Sequence, residues 1–188
     1  GIICLLHLLS LILHAGGWAV LLPRRSGRRF FLLLALRWIG DSVASLLPIT
    51  AVGGDLLRGY LHQRTGVPGA LAIGAVVVDL TTEVAAQLAF AALALAVLLS
   101  RGAGPGTTVP IIVALGVLAL LVYGFYLAQR HGALARSTRH LERIAGIGVP
   151  ATSEFARTLD CAMRCIYRRR RRVRLSAELH LLAWLAGV

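Results

Sequence analysis

Charged and amide side chains recur at helical spacing on three consecutive stretches of an otherwise apolar sequence. Within each stretch the spacing places them on one helix face: Arg37 with Asp41, Asp55 with Arg58, and Asp79 with Glu83 and Gln87. Buried charge is costly unless it is paired, so we expect the two arginines to face the four acids around one polar cavity. A polar substrate of a membrane protein would bind in such a cavity.

The chain breaks between the first two of these stretches. Pro48, Gly53 and Gly54 are followed by Asp55 and Arg58, so a helix breaker, two flexible residues and two charges fall within eleven residues. Proline cannot continue a helix and paired glycines permit a tight reversal, so we predict a hinge from Pro48 to Gly54. At bilayer depth such a break is tolerated only where protein or a water-filled cavity surrounds it.

Each of these residues also has a purely structural interpretation. Arg37 and Asp41 could form only an intrahelical ion pair. Asp55, directly after two glycines, is a good N-cap for a helix over residues 56–64. Asp79, near the start of a span, could be solvated at the membrane surface. The sequence leaves these alternatives open.

The elements that position these residues are predicted to be transmembrane helices. The chain is 57% hydrophobic and only 15% charged, and its mean hydropathy is +0.77. Several apolar runs reach the ~17–25 residues that cross a bilayer. We therefore predict an all-α, polytopic helical membrane bundle that forms one domain over residues 1–188. The first residue is not methionine and the last lies in an apolar run, so we expect a fragment truncated at both ends.

Apolar runs predict four spans, over about residues 1–22, 70–99, 111–129 and 175–188. Between the last two, residues 130–174 carry twelve arginines and three acids. The short loop over residues 24–29 carries four arginines and no acid. Because cytoplasmic loops of membrane proteins are enriched in basic residues, both segments are predicted to lie in the cytoplasm.

This topology constrains residues 30–64. If residues 70–99 and 111–129 make one trip out and back, residues 64–69 lie on the cytoplasmic side together with residues 24–29. Residues 30–64 would then begin and end on one side, as a re-entrant helical hairpin with its tip at Pro48–Gly54. The alternative is one full span with a broken helix, which would leave Arg58, His62 and Arg64 outside.

The net charge of +12 resides entirely on arginine, and the arginines flank apolar spans. We therefore expect membrane lipids rather than nucleic acid as partners, with anionic headgroups at the five consecutive residues Arg168, Arg169, Arg170, Arg171 and Arg172. Cys4, Cys161 and Cys165 give no disulfide framework. His7 and His14 share a helix face, but no third ligand stands at helical spacing. With no enzyme motif present, we predict no catalytic residue, no cofactor and no metal site.

The run from Arg37 to Asp55, RWIGDSVASLLPITAVGGD, resembles the membrane region of lysylphosphatidylglycerol synthase and its stand-alone, flippase-like relatives. The likeness continues in Val78-Asp79-Leu80-Thr81, in Gln87 and in the closing apolar run that starts at His180. Among these relatives, the sequence is most similar to hopanoid-biosynthesis-associated membrane proteins. Their pattern has Leu-Leu-Pro followed by Val-Gly-Gly and an acid, and Ala44 stands where it has an asparagine.

The resemblance implies a protein of the bacterial inner membrane that moves or handles a lipid, with hopanoids as one candidate. It does not imply lysine transfer, because the domain responsible for that reaction is soluble. We expect the lipid to be bound by Arg37, Asp41, Pro48, Gly53, Gly54, Asp55, Arg58, Asp79, Glu83 and Gln87. Two alternatives remain open: a membrane enzyme that modifies a lipid-linked substrate, and a scaffold subunit of lipid or hopanoid biosynthesis.

Overall fold

The computed structural model describes residues 1–23, 29–46, 51–133, 135–136 and 150–187, and this part of the chain is helical without any strand. Its helices are α1 (Ile2–Leu21), α2 (Phe30–Leu46), α3 (Ala51–Arg64), α4 (Gly69–Ser100), α5 (Pro105–His131), α6 (Pro150–Arg168) and α7 (Arg170–Ala186). Helix α4 is central, because it packs against α1, α3, α5, α6 and α7. The predicted all-α helical bundle is thereby confirmed.

Among the described residues, three helices are long and apolar enough to cross a membrane, namely α1, α4 and α5. Helix α5 buries none of its most apolar window against the rest of the protein, and side chains such as Leu120 and Leu121 are largely exposed. Water would not tolerate an apolar surface of this extent, whereas lipid would. The protein is therefore a membrane protein, and α5 presents its surface to lipid.

Helices α2 and α3 form a hairpin in which α3 runs back beside α2. A Cβ atom built on Gly40 would lie 2.8 Å from the carbonyl oxygen of Gly54, and one built on Gly54 would overlap the carbonyl oxygen of Gly40. Small residues allow this close approach of two helix backbones. The hairpin predicted for residues 30–64 is thus present as two packed arms, and its insertion from the cytoplasmic side stays a prediction.

Two details of the predicted hinge are wrong. Helix α3 begins at Ala51, so Gly53 and Gly54 lie inside the helix rather than in a turn. Asp55 consequently lies within α3 and is not its N-cap. The physical reason is that Gly54 serves helix contact with Gly40 rather than chain reversal. Pro48, at the predicted tip, lies outside the described residues.

We expect Gly54→Ala to weaken the hairpin, because the added methyl group has no space between the two backbones. Overpacking of this kind typically costs about 1–3 kcal/mol. Gly59→Ala is a matched control in the same helix, because its Cβ would make only ordinary contacts at 3.5 Å with Ile73 and Val76. Thermal unfolding in detergent measures both, and equal melting temperatures for the two variants would contradict the close contact.

The arginine-rich segment of residues 130–174 contributes to the apolar core and does not lie only on the surface. Helix α6 buries Leu159, Met163 and Ile166 against Trp18 of α1, Leu33 of α2 and Val76 of α4 within one apolar cluster. Helix α7 starts at Arg170, five residues before the predicted apolar run. Arginine is a good helix former, so the basic residues before that run belong to the same helix. Arg168 to Arg171 are exposed.

One arginine of this run fixes the end of the first helix. The Nη1 atom of Arg172 donates a hydrogen bond to the carbonyl oxygen of Leu22 at 2.9 Å, directly after α1 ends. Carbonyl groups at a helix C-terminus have no partner within the helix, and a cation there also suits the helix dipole. The end of α1 and the start of α7 therefore lie on the same side of the bundle.

Candidate functional site

Asp79 of α4 is the centre of the polar site, and its side chain is fully buried. Its Oδ2 atom lies 3.3 Å from Nη1 of Arg37 and 3.0 Å from Nη1 of Arg58. Its Oδ1 atom lies 3.0 Å from Nε2 of His180. A buried carboxylate needs partners of this kind to offset its lost hydration. The interpretation of Asp79 as a solvated surface acid is therefore wrong.

Arg37 of α2 joins three carboxylates. Its Nη2 atom donates to Oε1 of Glu83 at 2.7 Å, and its Nε atom donates to Oδ2 of Asp41 at 3.2 Å. The intrahelical pair with Asp41 thus exists, but it is one of three contacts that Arg37 makes. Asp41 is half-exposed, whereas Arg37 is buried. Arg37 therefore connects the buried part of the site to its open edge.

Arg58 of α3 is completely enclosed. Its Nη2 atom lies 2.9 Å from Oδ1 of Asp55, one turn earlier in the same helix, and it bridges that acid to Asp79. The guanidinium also lies over the indole ring of Trp18, 4.9 Å from the ring centre. A cation over an aromatic face is attracted by the ring. Arg58 therefore connects the hairpin arm α3 to α1 through Trp18 and to α4 through Asp79.

Two histidines complete the site, and the sequence patterns did not identify them. The Nδ1 atoms of His14 in α1 and His180 in α7 lie 2.8 Å apart, and the Nδ1 atom of His14 lies 3.5 Å from Oε1 of Glu83. Gly17 makes room for His180, because a Cβ there would lie 2.7 Å from its Nε2 atom. Spacing within one helix cannot reveal a pair separated by 166 residues.

The polar site adjoins two cavities. The large cavity, about 590 Å³, is bounded by α1, α2, α4 and α7, and its walls include Ser10, His14, Phe90 and Trp184. The small cavity, about 220 Å³, lies between α2, α3 and α4 and is lined by Asp55 and Gln87, among others. Arg37, Asp41 and Glu83 line both cavities. The buried ion pairs therefore face space that a ligand could enter.

The structure brings together most of the predicted site. Six of the predicted residues form the ion-paired cluster: Arg37, Asp41, Asp55, Arg58, Asp79 and Glu83. Gln87 lines the small cavity but is exposed. Gly54 belongs to the hairpin contact, Gly53 precedes it within α3, and Pro48 lies outside the described residues. His62 shares a helix face with Arg58, but it packs on Trp18 instead of joining the cluster.

A separate uncharged network ties α4 to its other neighbours. Gln129 of α5 donates to the Thr81 hydroxyl at 2.7 Å and accepts from the Tyr167 hydroxyl of α6 at 2.8 Å. Burial raises the pKa of Tyr167 to about 12, so its hydroxyl keeps its proton at neutral pH. Thr82 and Ser176 of α7 are hydrogen-bonded at 3.1 Å. These contacts hold in place the part of α4 that carries Asp79 and Glu83.

Of the comparisons with known proteins, one identifies a family. No curated protein and no solved structure matches the chain significantly. The family model described as the lysylphosphatidylglycerol synthase TM region matches residues 1–188, which is the whole chain. The match agrees with the resemblance carried by the residues from Arg37 to Gln87, which hold the buried ion pairs. This protein therefore belongs to the lysylphosphatidylglycerol synthase transmembrane-region family and is a membrane protein tied to lipid metabolism.

Proposed function

We propose that this domain binds a membrane lipid by its headgroup and moves it between the leaflets of the bacterial inner membrane. The observation that carries the proposal is a buried ion cluster beside two cavities in an otherwise apolar bundle. Ionisable groups inside a membrane protein are expensive and mark substrate pathways. The large cavity offers Arg37, Asp41 and Ser10 to a polar headgroup, and Leu6 and Phe90 to an apolar chain.

The depth of the cluster supports translocation rather than recognition at the surface. Asp79 lies ten residues after the start of α4, which corresponds to about 15 Å along the helix axis. The hydrocarbon core of a bilayer is about 30 Å thick. With the start of α4 at the cytoplasmic surface, the cluster sits near the middle of the membrane, where transporters place their substrate sites.

The two arginines have different roles in this proposal. Arg37 lines both cavities, and it would contact an anionic or hydroxylated headgroup directly. Arg58 lines neither of these two cavities and is fully enclosed by Asp55, Asp79 and Trp18, so it holds the site together. Asp41 is half-exposed and could exchange its contact with Arg37 for one with the lipid.

The topology and the substrate class belong to the same proposal. Exposed Arg168 to Arg171 would rest on anionic headgroups of the cytoplasmic leaflet. Electrostatic attraction to such headgroups stabilises membrane binding by ~1 kcal/mol per basic residue. In this proposal the start of α7 lies in the cytoplasm, the protein is multi-pass, and the α2–α3 hairpin re-enters from the cytoplasm. Hopanoids are the first lipid class to test, since the sequence around Asp41 resembles the hopanoid-associated members most.

A leaflet-resolved lipid comparison tests the proposal. Lipids of the inner and outer leaflets would be quantified in a strain that lacks the gene, and again after restoring the full-length gene. The proposal predicts one lipid class, chemically unchanged, in the wrong leaflet. Loss of a lipid with accumulation of its precursor would favour the membrane enzyme instead. Unaltered lipids together with dissociation of a biosynthetic complex would favour the scaffold, and either of these results would overturn translocation.

A further inference from the structure

We propose that His14, Glu83 and His180 bind one zinc ion whose open coordination position faces the large cavity. The proposal goes beyond lipid movement and does not depend on it. The three residues come from α1, α4 and α7, and one potential ligand atom from each lies within 4.8 Å of the others. Three helices that are far apart in the sequence therefore bring these side chains together.

The two imidazole rings face each other with their Nδ1 atoms. These atoms lie 2.8 Å apart, so a hydrogen or a cation must lie between them. Zinc bound to nitrogen at about 2.0–2.1 Å in tetrahedral geometry requires ligand atoms about 3.3 Å apart. The rings would therefore separate by only about half an ångström to admit the ion.

Asp79 supplies the support that metal-binding histidines usually have. Its Oδ1 atom lies 3.0 Å from Nε2 of His180, and this contact leaves Nδ1 of His180 as the atom directed at His14. Metal-ligating histidines almost always donate their second ring nitrogen to a carboxylate or carbonyl, which fixes the tautomer. His180 is fully buried and has Gly17 against its ring, so its orientation is constrained further.

Charge balance favours a divalent cation at this position. Three enclosed carboxylates and the half-exposed Asp41 face two guanidinium groups, so with both histidines neutral the enclosed part has a net charge of −1 and the whole cluster −2. An unbalanced charge at this depth is costly. A Zn²⁺ ion brings the cluster to neutrality.

One carboxylate oxygen of Glu83 is available for a further contact. Its Oε1 atom accepts from Arg37 at 2.7 Å, while its Oε2 atom is buried without a hydrogen-bond partner in the described part of the chain. A buried unsatisfied oxygen costs free energy that a metal bond would recover. Oε1 is also the oxygen 3.5 Å from Nδ1 of His14, so a rotation of the carboxylate would let one oxygen hold Arg37 and the other bind the cation.

The ligand types favour zinc over calcium and magnesium. Two imidazole nitrogens and one carboxylate oxygen suit zinc, whereas calcium and magnesium prefer oxygen ligands throughout. Three protein ligands with a fourth position open are typical of zinc sites that accept water or substrate. His14 and Glu83 both line the large cavity, so the fourth ligand would come from there.

Zinc binding to the purified full-length protein tests the proposal. The three exposed cysteines, Cys4, Cys161 and Cys165, would be replaced by serine, because thiolates bind zinc on their own. After removal of metal with a chelator, calorimetric titration with Zn²⁺ is expected to give one ion per chain. His14→Ala and Glu83→Gln are each expected to weaken binding at least tenfold.

His131→Ala is the matched control, because His131 is an exposed histidine at the end of α5 and lies outside the group of His14, Glu83 and His180. It should bind zinc like the parent protein. Size-exclusion profiles and helical circular dichroism would show that all variants are folded. Absence of zinc binding by the parent, or equal binding by His14→Ala and the parent, would overturn the proposal and leave the two histidines sharing a proton.

Discussion

Asp79→Asn is expected to destabilise the folded protein by about 3–5 kcal/mol, the typical cost of breaking a buried ion pair. Asparagine keeps the shape of the side chain but replaces one acceptor oxygen with a donor. The positions around it are occupied by donors from Arg37, Arg58 and His180 at 3.0–3.3 Å. Two positive charges would then lose a buried acceptor. Thermal or urea unfolding in detergent measures the loss.

Asp41→Asn is the control for Asp79→Asn. It also removes a carboxylate partner of Arg37, but at a half-exposed position. Exposed ion pairs contribute about 0–1 kcal/mol, so this variant should unfold close to the parent. Combining Asp79→Asn with Arg58→Gln should cost less than the sum of the two single changes, since the pair is removed together. Strict additivity, or equal stability of Asp79→Asn and the parent, would contradict the buried pair.

Arg37→Gln is expected to reduce lipid movement about tenfold or more per molecule of protein that remains folded in the membrane, since loss of this buried partner also lowers stability. Arg37 is the cluster arginine that lines both cavities, and a charge-assisted contact to a headgroup is worth about 1.5–3 kcal/mol. A difference of about 1.4 kcal/mol corresponds to a factor of ten. The rate of labelled-lipid transfer between leaflets of reconstituted vesicles measures the effect.

Arg64→Gln is the matched control for Arg37→Gln. It removes an arginine from the other arm of the hairpin, where the side chain is exposed and bonds only to the Tyr60 hydroxyl among the described residues. Lipid movement should stay at the parental rate. If both arginine variants moved lipid equally well, the headgroup role of Arg37 would be wrong.

The sequence predicts contacts within one helix well. The polar faces that contain Arg37, Asp55 and Asp79 follow from spacings of three and four residues, which any helix brings onto one side. Burial cost then predicts that these faces meet, and the distances around Asp79 agree. Apolar run lengths likewise predict α1, α4 and α5 to within a few residues of their ends, except that α5 starts at Pro105.

Contacts between helices that are distant in sequence are what the sequence patterns miss. His14 shares its apolar run only with His7, and His180 is the one histidine of its run, so each is interpretable as an ordinary packed residue until the fold joins α1 to α7. Gly54 was misassigned for a related reason, because its partner Gly40 lies in another helix. The available signal was the small residue at both positions, which permits close packing of helix backbones.

Arginine counts predict the side of the membrane but not the fold of the basic segment. The charge of residues 130–174 hides the apolar face of α6, where Met163 and Ile166 recur at a spacing of three. A strongly amphipathic helix buries such a face against neighbouring helices. Helix periodicity therefore predicts more than net charge does for this part of the chain.

Photolabelling with a lipid that carries a reactive diazirine in its headgroup tests the central claim most directly. The purified full-length protein would be labelled in vesicles, and the modified residues would be identified by mass spectrometry. If the headgroup enters the ion-paired site, labels are expected on walls of the large cavity, such as Ser10, Phe90 and Trp184, and they should be lost in Arg37→Gln. Labels confined to the lipid-facing surface of α5, around Leu120 and Leu121, would contradict the claim.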